Sequence, residues 1–234
     1  MFTFDGWCPI CERDVFFSSQ HAWFRDHLLC SECGSIPRER ALFRVIKERF
    51  PNYRDLVIHE TSPGNRGAST KLAQDCGGYS VSQYFKDVAP GKINSSGVRC
   101  ENLEKLSFDD SSFDIFVSQD VMEHVFDPEK AVCEIARVVK PGGAHIFTVP
   151  IINKWRPTER WASLREDGDI AYHGTPEYHG NPVDPDGALV TMHWGYDIAS
   201  FINKHSAMAT VIVQIDDITQ GIRAEFIDVL VSSK

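Results

Sequence analysis

One segment, residues 113–150, constrains the fold of this chain more than any other. Its sequence, FDIFVSQDVMEHVFDPEKAVCEIARVVKPGGAHIFTVP, predicts a buried strand, a loop, a helix, a turn and a second buried strand. Asp127 is expected to cap the helix and Pro128 to occupy its first position, while Pro141-Gly142-Gly143 is expected to end it. A strand–helix–strand unit of this length implies a right-handed parallel crossover, with ligands bound beyond the carboxyl ends of its strands.

Length and composition narrow the class of protein. A chain of 234 residues can bury the core of one domain with a small appendage. The formal net charge of -9 argues against a nucleic-acid partner, because phosphate binding needs clustered Lys and Arg. No stretch is apolar enough to span a membrane, and the N-terminus lacks the basic start and apolar run of a signal peptide. We therefore expect a cytoplasmic protein, and no pattern in the chain indicates an oligomeric state.

Four of the seven cysteines form two C-x-x-C hooks near the N-terminus. Eighteen residues separate the hooks, a ligand number and spacing typical of tetrahedral zinc sites; the four are Cys8, Cys11, Cys30 and Cys33. Two disulfides or a redox dithiol are the alternatives. Four thiolates leave no open coordination position, so the expected Zn²⁺ is structural.

The zinc-binding segment is expected to be an extension of the main domain. Residues 37–50, PRERALFRVIKERF, predict an amphipathic helix that follows the second hook directly and packs on the sheet. The predicted organisation is a zinc-binding extension at residues 1–36 and a main domain at residues 37–234.

A second segment, residues 56–67, predicts a strand that ends in a carboxylate, followed by a turn of small residues and a helix. Together with residues 113–150 it resembles the class I S-adenosylmethionine-dependent methyltransferases, particularly the small-molecule group called type 11. In that group FD, a buried strand, EH and a PGG turn recur together. The resemblance covers residues 55–150 clearly and implies an α/β fold: a Rossmann-like sheet of seven strands with helices on both faces.

The resemblance also implies a set of cofactor-binding residues. Glu60 takes the acidic position, Ser62 stands where a first glycine is usual, and Gly64 matches the second glycine. Ser82 and Gln83 occupy the place of the usual ribose-binding carboxylate, while Asn102, or Glu101 by one residue of register, would bind the adenine amine. The full set is Glu60, Thr61, Ser62, Gly64, Ser82, Gln83, Glu101, Asn102, Leu103, Gln119, Asp120 and Val121.

The family places Asp120 beside the sulfonium of the cofactor, where it would stabilise positive charge; the alternative is that it caps the turn at residues 121–124. Glu123-His124 is a pair that the family often keeps. His124 is a candidate base because histidine titrates near neutrality. His179 and His193 are further candidates, from the long connection described next.

The connection at about residues 153–196 is far longer than is usual between two elements, and long loops in compact domains are usually functional. Its aromatic and histidine residues suit a flat or polyhydroxylated acceptor, which it is expected to cover; the alternative is a loop ordered by its own aromatic residues. Its histidines show no recognised metal-binding spacing, so no second metal is expected. The aromatic residues are Trp155, Trp161, Tyr172, Tyr178, Trp194 and Tyr196.

These observations predict methyl transfer from S-adenosylmethionine to an oxygen or nitrogen of a small molecule or glycan. Two alternatives remain open. The altered glycine loop and the missing ribose carboxylate would also fit a catalytically inactive zinc protein that senses the cofactor or binds a partner. The zinc unit could instead direct methylation of a nucleic acid or a protein.

Overall fold

The computed structural model describes residues 1–181 and 183–234, and it begins with a small antiparallel sheet around the four N-terminal cysteines. The elements of this unit are β1 (Phe2–Cys8), β2 (Arg13–Ser19), α1 (Phe24–His27) and β3 (Leu29–Cys30). The next helix is α2 (Pro37–Arg49), as the sequence predicts. A hydrogen bond from the Ile36 amide to the Glu39 carboxylate closes its first turn.

The first half of the main sheet follows a 3₁₀ turn at Tyr53–Asp55. It comprises β4 (Val57–Thr61), α3 (Gly67–Asp75), β5 (Gly78–Gln83) and β6 (Arg99–Cys100). The strands β4, β5 and β6 pair in parallel, so that their carboxyl ends meet at one edge of the sheet.

The second half contains the crossover that the sequence predicts, formed by β7 (Phe113–Gln119), a 3₁₀ turn (Met122–His124), α4 (Pro128–Val138) and β8 (Val139–Thr148). Asp127 caps α4 by accepting a hydrogen bond from the Lys130 amide at 3.1 Å. The helix ends at Val138, however, so Pro141-Gly142-Gly143 does not end it. These three residues lie inside β8, where the pairing with β7 shifts register, because a proline and two glycines suit a strand irregularity as well as a turn.

The long connection folds into short antiparallel ladders. Its strands are β9 (Glu159–Arg160), β10 (Ala162–Leu164), β11 (Ile170–Tyr172), β12 (Tyr178–Asn181), β13 (Asp184–Leu189) and β14 (Met192–His193). The chain closes with α5 (Ile198–Ser206), β15 (Ala209–Val213), a 3₁₀ turn (Ile218–Gln220) and β16 (Val229–Ser233). The main sheet has the order β15-β16-β8-β7-β4-β5-β6, and β16 runs in the direction opposite to the other six strands. The predicted seven-stranded α/β fold is confirmed.

Alternate residues of the strands face two hydrophobic layers, one on each side of the sheet. Ile58 and Ile115 pack with α2 and α3, whereas Phe116 and Phe147 pack with α4 and α5. The first layer also contains Phe17 of the N-terminal unit, so this unit shares a core with the main domain. In the described part of the chain, no helix combines the length and apolarity needed to cross a membrane.

Two buried histidines in the sheet give the fold a predictable dependence on pH. Burial, assisted by Arg99, lowers the pKa of His59 to about 3, and burial alone lowers the pKa of His145 to about 3. Below pH 6.5 the unfolded chain therefore binds protons that the folded chain excludes, so stability should fall as the pH falls towards 3. At pH 5 the expected loss is about 2 kcal/mol per histidine.

Urea unfolding at neutral pH and near pH 5 measures this loss. A His145→Gln variant should lose about half of the pH dependence, whereas His21→Gln, at an exposed position, should keep all of it. Equal pH dependence in the wild type and in His145→Gln would contradict the assignment.

Candidate active site

A cavity of about 1630 Å³ opens at the carboxyl ends of β4, β5 and β7 and extends beneath the β12–β13 hairpin. Large ligands bind in such crevices in open α/β sheets. All the candidate cofactor residues named above line it except Glu60 and Ser82, and so do His124, His179 and His193. The cavity therefore brings the candidate residues of both halves of the chain together.

Glu60 and Ser82 lie beneath the cavity. The Glu60 carboxylate is fully buried and accepts hydrogen bonds from Ser69 Oγ (2.8 Å), Tyr79 Oη (2.7 Å) and Gln119 Nε2 (2.8 Å). Burial raises the pKa of Glu60, while these donors oppose the rise. Ser82, on β5, contacts Nε2 of His59, on the neighbouring strand β4, at 2.9 Å through its Oγ. In this arrangement both residues support the floor of the site.

The loop after β4 keeps the backbone close to the cavity although it has few glycines. Ser62 adopts a left-handed conformation, with φ 53°, at the position where the family usually has glycine. The Gly64 amide donates to Ser69 Oγ at 3.0 Å. Gly67 has φ 57°, and a Cβ there would overlap with the Glu39 carboxylate of α2. Position 67 therefore requires glycine, because the loop packs closely against α2 there.

At the far end of the cavity, Gln83 is the side chain that stands at the end of β5. Glu101 is buried and held by Arg99 Nε (2.7 Å) and the Ser107 amide (2.9 Å). Asn102 Oδ1 accepts from the Glu104 amide at 2.9 Å. All three residues line the cavity. Either Glu101 or Asn102 could therefore be the residue that binds the adenine amine.

Asp120 lies at the end of β7 with φ 53° and makes an ion pair with two guanidinium groups. Its Oδ2 is 2.6 Å from Arg25 Nη2 and 2.8 Å from Arg38 Nε, and its Oδ1 accepts from Thr148 Oγ1 at 3.0 Å. Although burial opposes ionisation, Arg38 and Arg25 hold the pKa of Asp120 below its usual range. The alternative role as a helix cap fails, because the 3₁₀ turn at Met122–His124 receives no side-chain cap.

Arg38 has a donor left over in this cluster. Its Nη1 is buried, lacks a hydrogen-bond partner within residues 1–181 and 183–234, and belongs to a side chain that lines the cavity. Unsatisfied buried donors are rare and costly, so this atom is available to donate to a polar group that enters the cavity.

The candidate bases gather around Glu123 at the other end of the cavity. Glu123 Oε1 lies 3.6 Å from His124 Nε2 and 3.6 Å from His179 Nδ1. Glu177 joins His179 and His193, at 3.4 Å and 3.0 Å from their Nε2 atoms. The Glu123 carboxylate, in spite of burial, raises the pKa of His179.

The aromatic residues of the connection are less involved in the cavity than the sequence suggests. Tyr178 lines it, but Trp194 is fully buried in the core against Phe201 and Trp155 is almost fully exposed. Trp161 stacks on His193 at 4.0 Å behind the cavity wall. Amphipathic aromatic residues serve cores and binding surfaces alike, and only tertiary contacts separate the two roles.

The four N-terminal cysteines form one cluster. Their sulfurs all lie within 4.8 Å of one another, with Cys8 and Cys33 at 3.9 Å and Cys11 and Cys30 at 3.8 Å. These separations are longer than a disulfide bond, so neither pair is bonded to each other in this structure. The Cys11 amide points at Cys8 Sγ (3.4 Å), as is usual around metal-bound thiolates.

Four residues of these clusters are missing from the predicted set. Glu123 and Glu177 contact the candidate bases, and Arg25 and Arg38 contact Asp120. The EH pair is a local signal for Glu123. The arginines carry no such signal, because 95 and 82 residues separate them from Asp120 in the chain.

Comparison with known proteins agrees with this geometry. Residues 62–147 match the family model described as a methyltransferase domain. An uncharacterized methyltransferase of Schizosaccharomyces pombe is 44% identical over 127 residues, which are 51% of this chain and 42% of that protein. A ubiquinone biosynthesis O-methyltransferase of Coxiella burnetii is 31% identical over 75 residues, which are 30% of this chain and 32% of that protein. The chain thus spans less than half the length of these relatives.

Among solved structures, an S-adenosylmethionine-dependent methyltransferase from Mesorhizobium loti superposes with a TM-score of 0.52 at 16% identity. The superposition covers 82% of this chain and 96% of that protein, so the two share a fold. The segment that matches the methyltransferase domain, residues 62–147, supplies most of the cavity's loops and the β7–β8 crossover.

Proposed function

We propose that this protein transfers a methyl group from S-adenosylmethionine to an oxygen or nitrogen of a small molecule or glycan. The observation that carries the proposal is the large cavity at the carboxyl ends of β4, β5 and β7, lined by the segment that matches the methyltransferase domain. The sulfonium already activates the methyl group, so the protein mainly has to align the acceptor and exclude water.

The cofactor is proposed to lie between the Gly64 loop and Asp120. Asn102 or Glu101 and Leu103 would contact the adenine, and Gln83 the ribose. Arg38 Nη1 would donate to the methionine carboxylate of the cofactor, which supplies the anionic partner that this atom lacks. The acceptor would occupy the end of the cavity near His124, His179 and His193.

The four cysteines are proposed to hold a structural Zn²⁺, with residues 1–36 as its binding unit. In a tetrahedral site with Zn–S bonds of about 2.3 Å, two sulfurs are about 3.8 Å apart. The sulfur separations of 3.9 Å and 3.8 Å fit this value. When bound, the ion would crosslink the two hooks.

Calorimetry with S-adenosylmethionine and S-adenosylhomocysteine tests the cofactor assignment. We expect saturable binding of both; no binding of either would contradict the enzyme proposal and leave only the alternative of an inactive protein that binds a partner. A labelled-methyl screen over sugars, lipid-linked glycans, phenols and amines then tests transfer. Labelling of a protein or of RNA in a lysate, with none in this screen, would favour macromolecular methylation.

Arg38→Met should weaken binding of S-adenosylhomocysteine by about 10- to 100-fold, because a charge-assisted hydrogen bond contributes about 1.5–3 kcal/mol. Arg25→Met is the matched control, since it removes the other guanidinium from Asp120 and leaves the Arg38 Nη1 donor in place. Arg25→Met should weaken binding of S-adenosylhomocysteine less than Arg38→Met does. If the two variants bind with the same affinity, Arg38 has no direct role in holding the carboxylate.

A further inference from the structure

We propose that Glu123, His124 and His179 bind a divalent transition-metal ion at the acceptor end of the cavity. The ligand atoms are a carboxylate oxygen of Glu123, His124 Nε2 and His179 Nδ1, and all three lie within 4.8 Å of one another. Two imidazoles and one carboxylate form a donor set that suits Zn²⁺, Fe²⁺ or Mn²⁺.

The Glu123 carboxylate is the first argument for a cation. Its side chain is 2% exposed, and neither oxygen has a hydrogen-bond partner in the described part of the chain. A buried carboxylate without donors is strongly unfavourable, and buried charges in proteins are paired or coordinate metals. The two imidazole nitrogens lie 3.6 Å from Glu123 Oε1, which is too far for a hydrogen bond and leaves room for an ion among the three groups.

The hydrogen bonds of His124 orient its lone pair towards Glu123. Its Nδ1 is 2.9 Å from the Leu189 carbonyl oxygen. A carbonyl only accepts, so Nδ1 carries a proton, and Nε2 is the ring nitrogen that faces the carboxylate and can present a lone pair to a metal ion. A carboxylate oxygen and an imidazole lone pair that face each other can both coordinate one cation.

His179 has the same arrangement with a carboxylate as its outer partner. Its Nε2 lies 3.4 Å from Glu177 Oε1, while its Nδ1 faces Glu123. Metal-bound histidines typically donate their second nitrogen to a carboxylate or a carbonyl, and Glu177 and Leu189 supply one of each here. His193 Nε2 is 3.0 Å from Glu177 Oε2 and holds this carboxylate in place.

The backbone fixes the two halves of the site to each other. The amide of Thr191, on the long connection, donates to the Glu123 carbonyl at 2.7 Å, and its hydroxyl donates to the Val125 carbonyl at 2.6 Å. The loop that carries Glu123 and His124 is therefore anchored to the segment that carries His179. Such pre-organisation is what a metal site requires.

Three protein ligands leave coordination positions open to the cavity. This part of the inference rests on the proposed function: an acceptor with adjacent oxygen or nitrogen donors, such as a vicinal diol or a catechol, would complete the coordination and be aligned by it. Acceptors with a single isolated donor should be poorer substrates.

The test is a titration with Mn²⁺ of protein that carries one equivalent of Zn²⁺, enough to fill the cysteine site alone, followed by electron paramagnetic resonance. Because manganese prefers oxygen and nitrogen ligands, it leaves the thiolate site occupied by zinc. We expect one Mn²⁺ per chain, with affinity at least about 100-fold weaker in His179→Gln and in Glu123→Gln. His173→Gln, on the same connection but outside the cluster, should bind like the wild type.

His179 is partly exposed, so its variant should fold even if the Glu123 variant does not. An absence of saturable Mn²⁺ binding, or the same affinity in wild type and His179→Gln, would overturn the proposal in favour of a metal-free pair of protonated histidines. The titration contains neither cofactor nor acceptor. Failure of methyl transfer and failure of metal binding are thus separate results.

Discussion

Replacing Cys30 with serine should release one zinc ion per chain and destabilise the whole molecule. In zinc-finger peptides metal binding supplies about 10–16 kcal/mol, and this free energy is folding free energy. The loss is not confined to the N-terminal unit, since Cys8, Phe17 and Leu28 pack in the same hydrophobic layer as Ile58. We expect a loss of several kcal/mol in the free energy of unfolding.

Metal analysis by mass spectrometry and urea unfolding would measure the two effects on the same samples. Cys133→Ser is the matched control, because Cys133 is an exposed thiol on α4 outside the cluster. This variant should keep both its zinc and its stability. A Cys30→Ser protein that retains as much zinc as the control, or unfolds at the same urea concentration, would contradict a structural zinc site.

Arg40→Met is expected to cost on the order of 5 kcal/mol in the free energy of unfolding. Arg40 is fully buried in α2 and donates hydrogen bonds to the carbonyl oxygens of Ser35, Leu28 (2.9 Å) and Gly221 (2.7 Å). Each buried acceptor left without its donor costs about 1–3 kcal/mol. The guanidinium also stacks over the Phe17 ring at 4.6 Å, so methionine would lose that contact as well.

Urea unfolding again gives the measurement, and α2 itself offers a control. Arg44→Met removes a partly exposed guanidinium that pairs with Glu48 and Asp217, which should change stability by less than about 1 kcal/mol. The stability of Arg40→Lys should lie between those of Arg40→Met and Arg44→Met, since a single ammonium cannot reach all three carbonyls. If Arg40→Met is no less stable than Arg44→Met, the buried hydrogen bonds are not what joins these segments.

Local patterns in the sequence were enough to predict the elements that carry the candidate site. The Asp127 cap and the apolar run of β7 are short-range signals. The two C-x-x-C hooks likewise contain all four cysteines that the structure brings together. The strand β5 shows the limit of such signals. Ser82 and Gln83 are adjacent, so they face opposite sides of the strand, and the sequence alone did not assign which one faces the cavity.

The contacts that complete the site join distant parts of the chain, which explains why they were not predicted. His179 meets Glu123 across 56 residues, and hydrogen bonds from Thr191 and to Leu189 hold the connection against the loop after β7. No spacing rule covers such a pair. The expectation that the histidines form no metal-binding pattern was therefore based on local spacing alone, whereas the side chains gather through tertiary structure.

The salt bridge between Arg25 and Asp120 connects the zinc unit to the proposed cofactor site, since Arg25 lies between the two cysteine hooks in the chain. If folding of this unit depends on zinc, the affinity for S-adenosylmethionine depends on it too. Thermodynamic linkage is reciprocal, so a bound cofactor would strengthen zinc binding by the same free energy that zinc contributes to cofactor binding. Cellular zinc supply would then set the fraction of the protein that is able to bind its methyl donor.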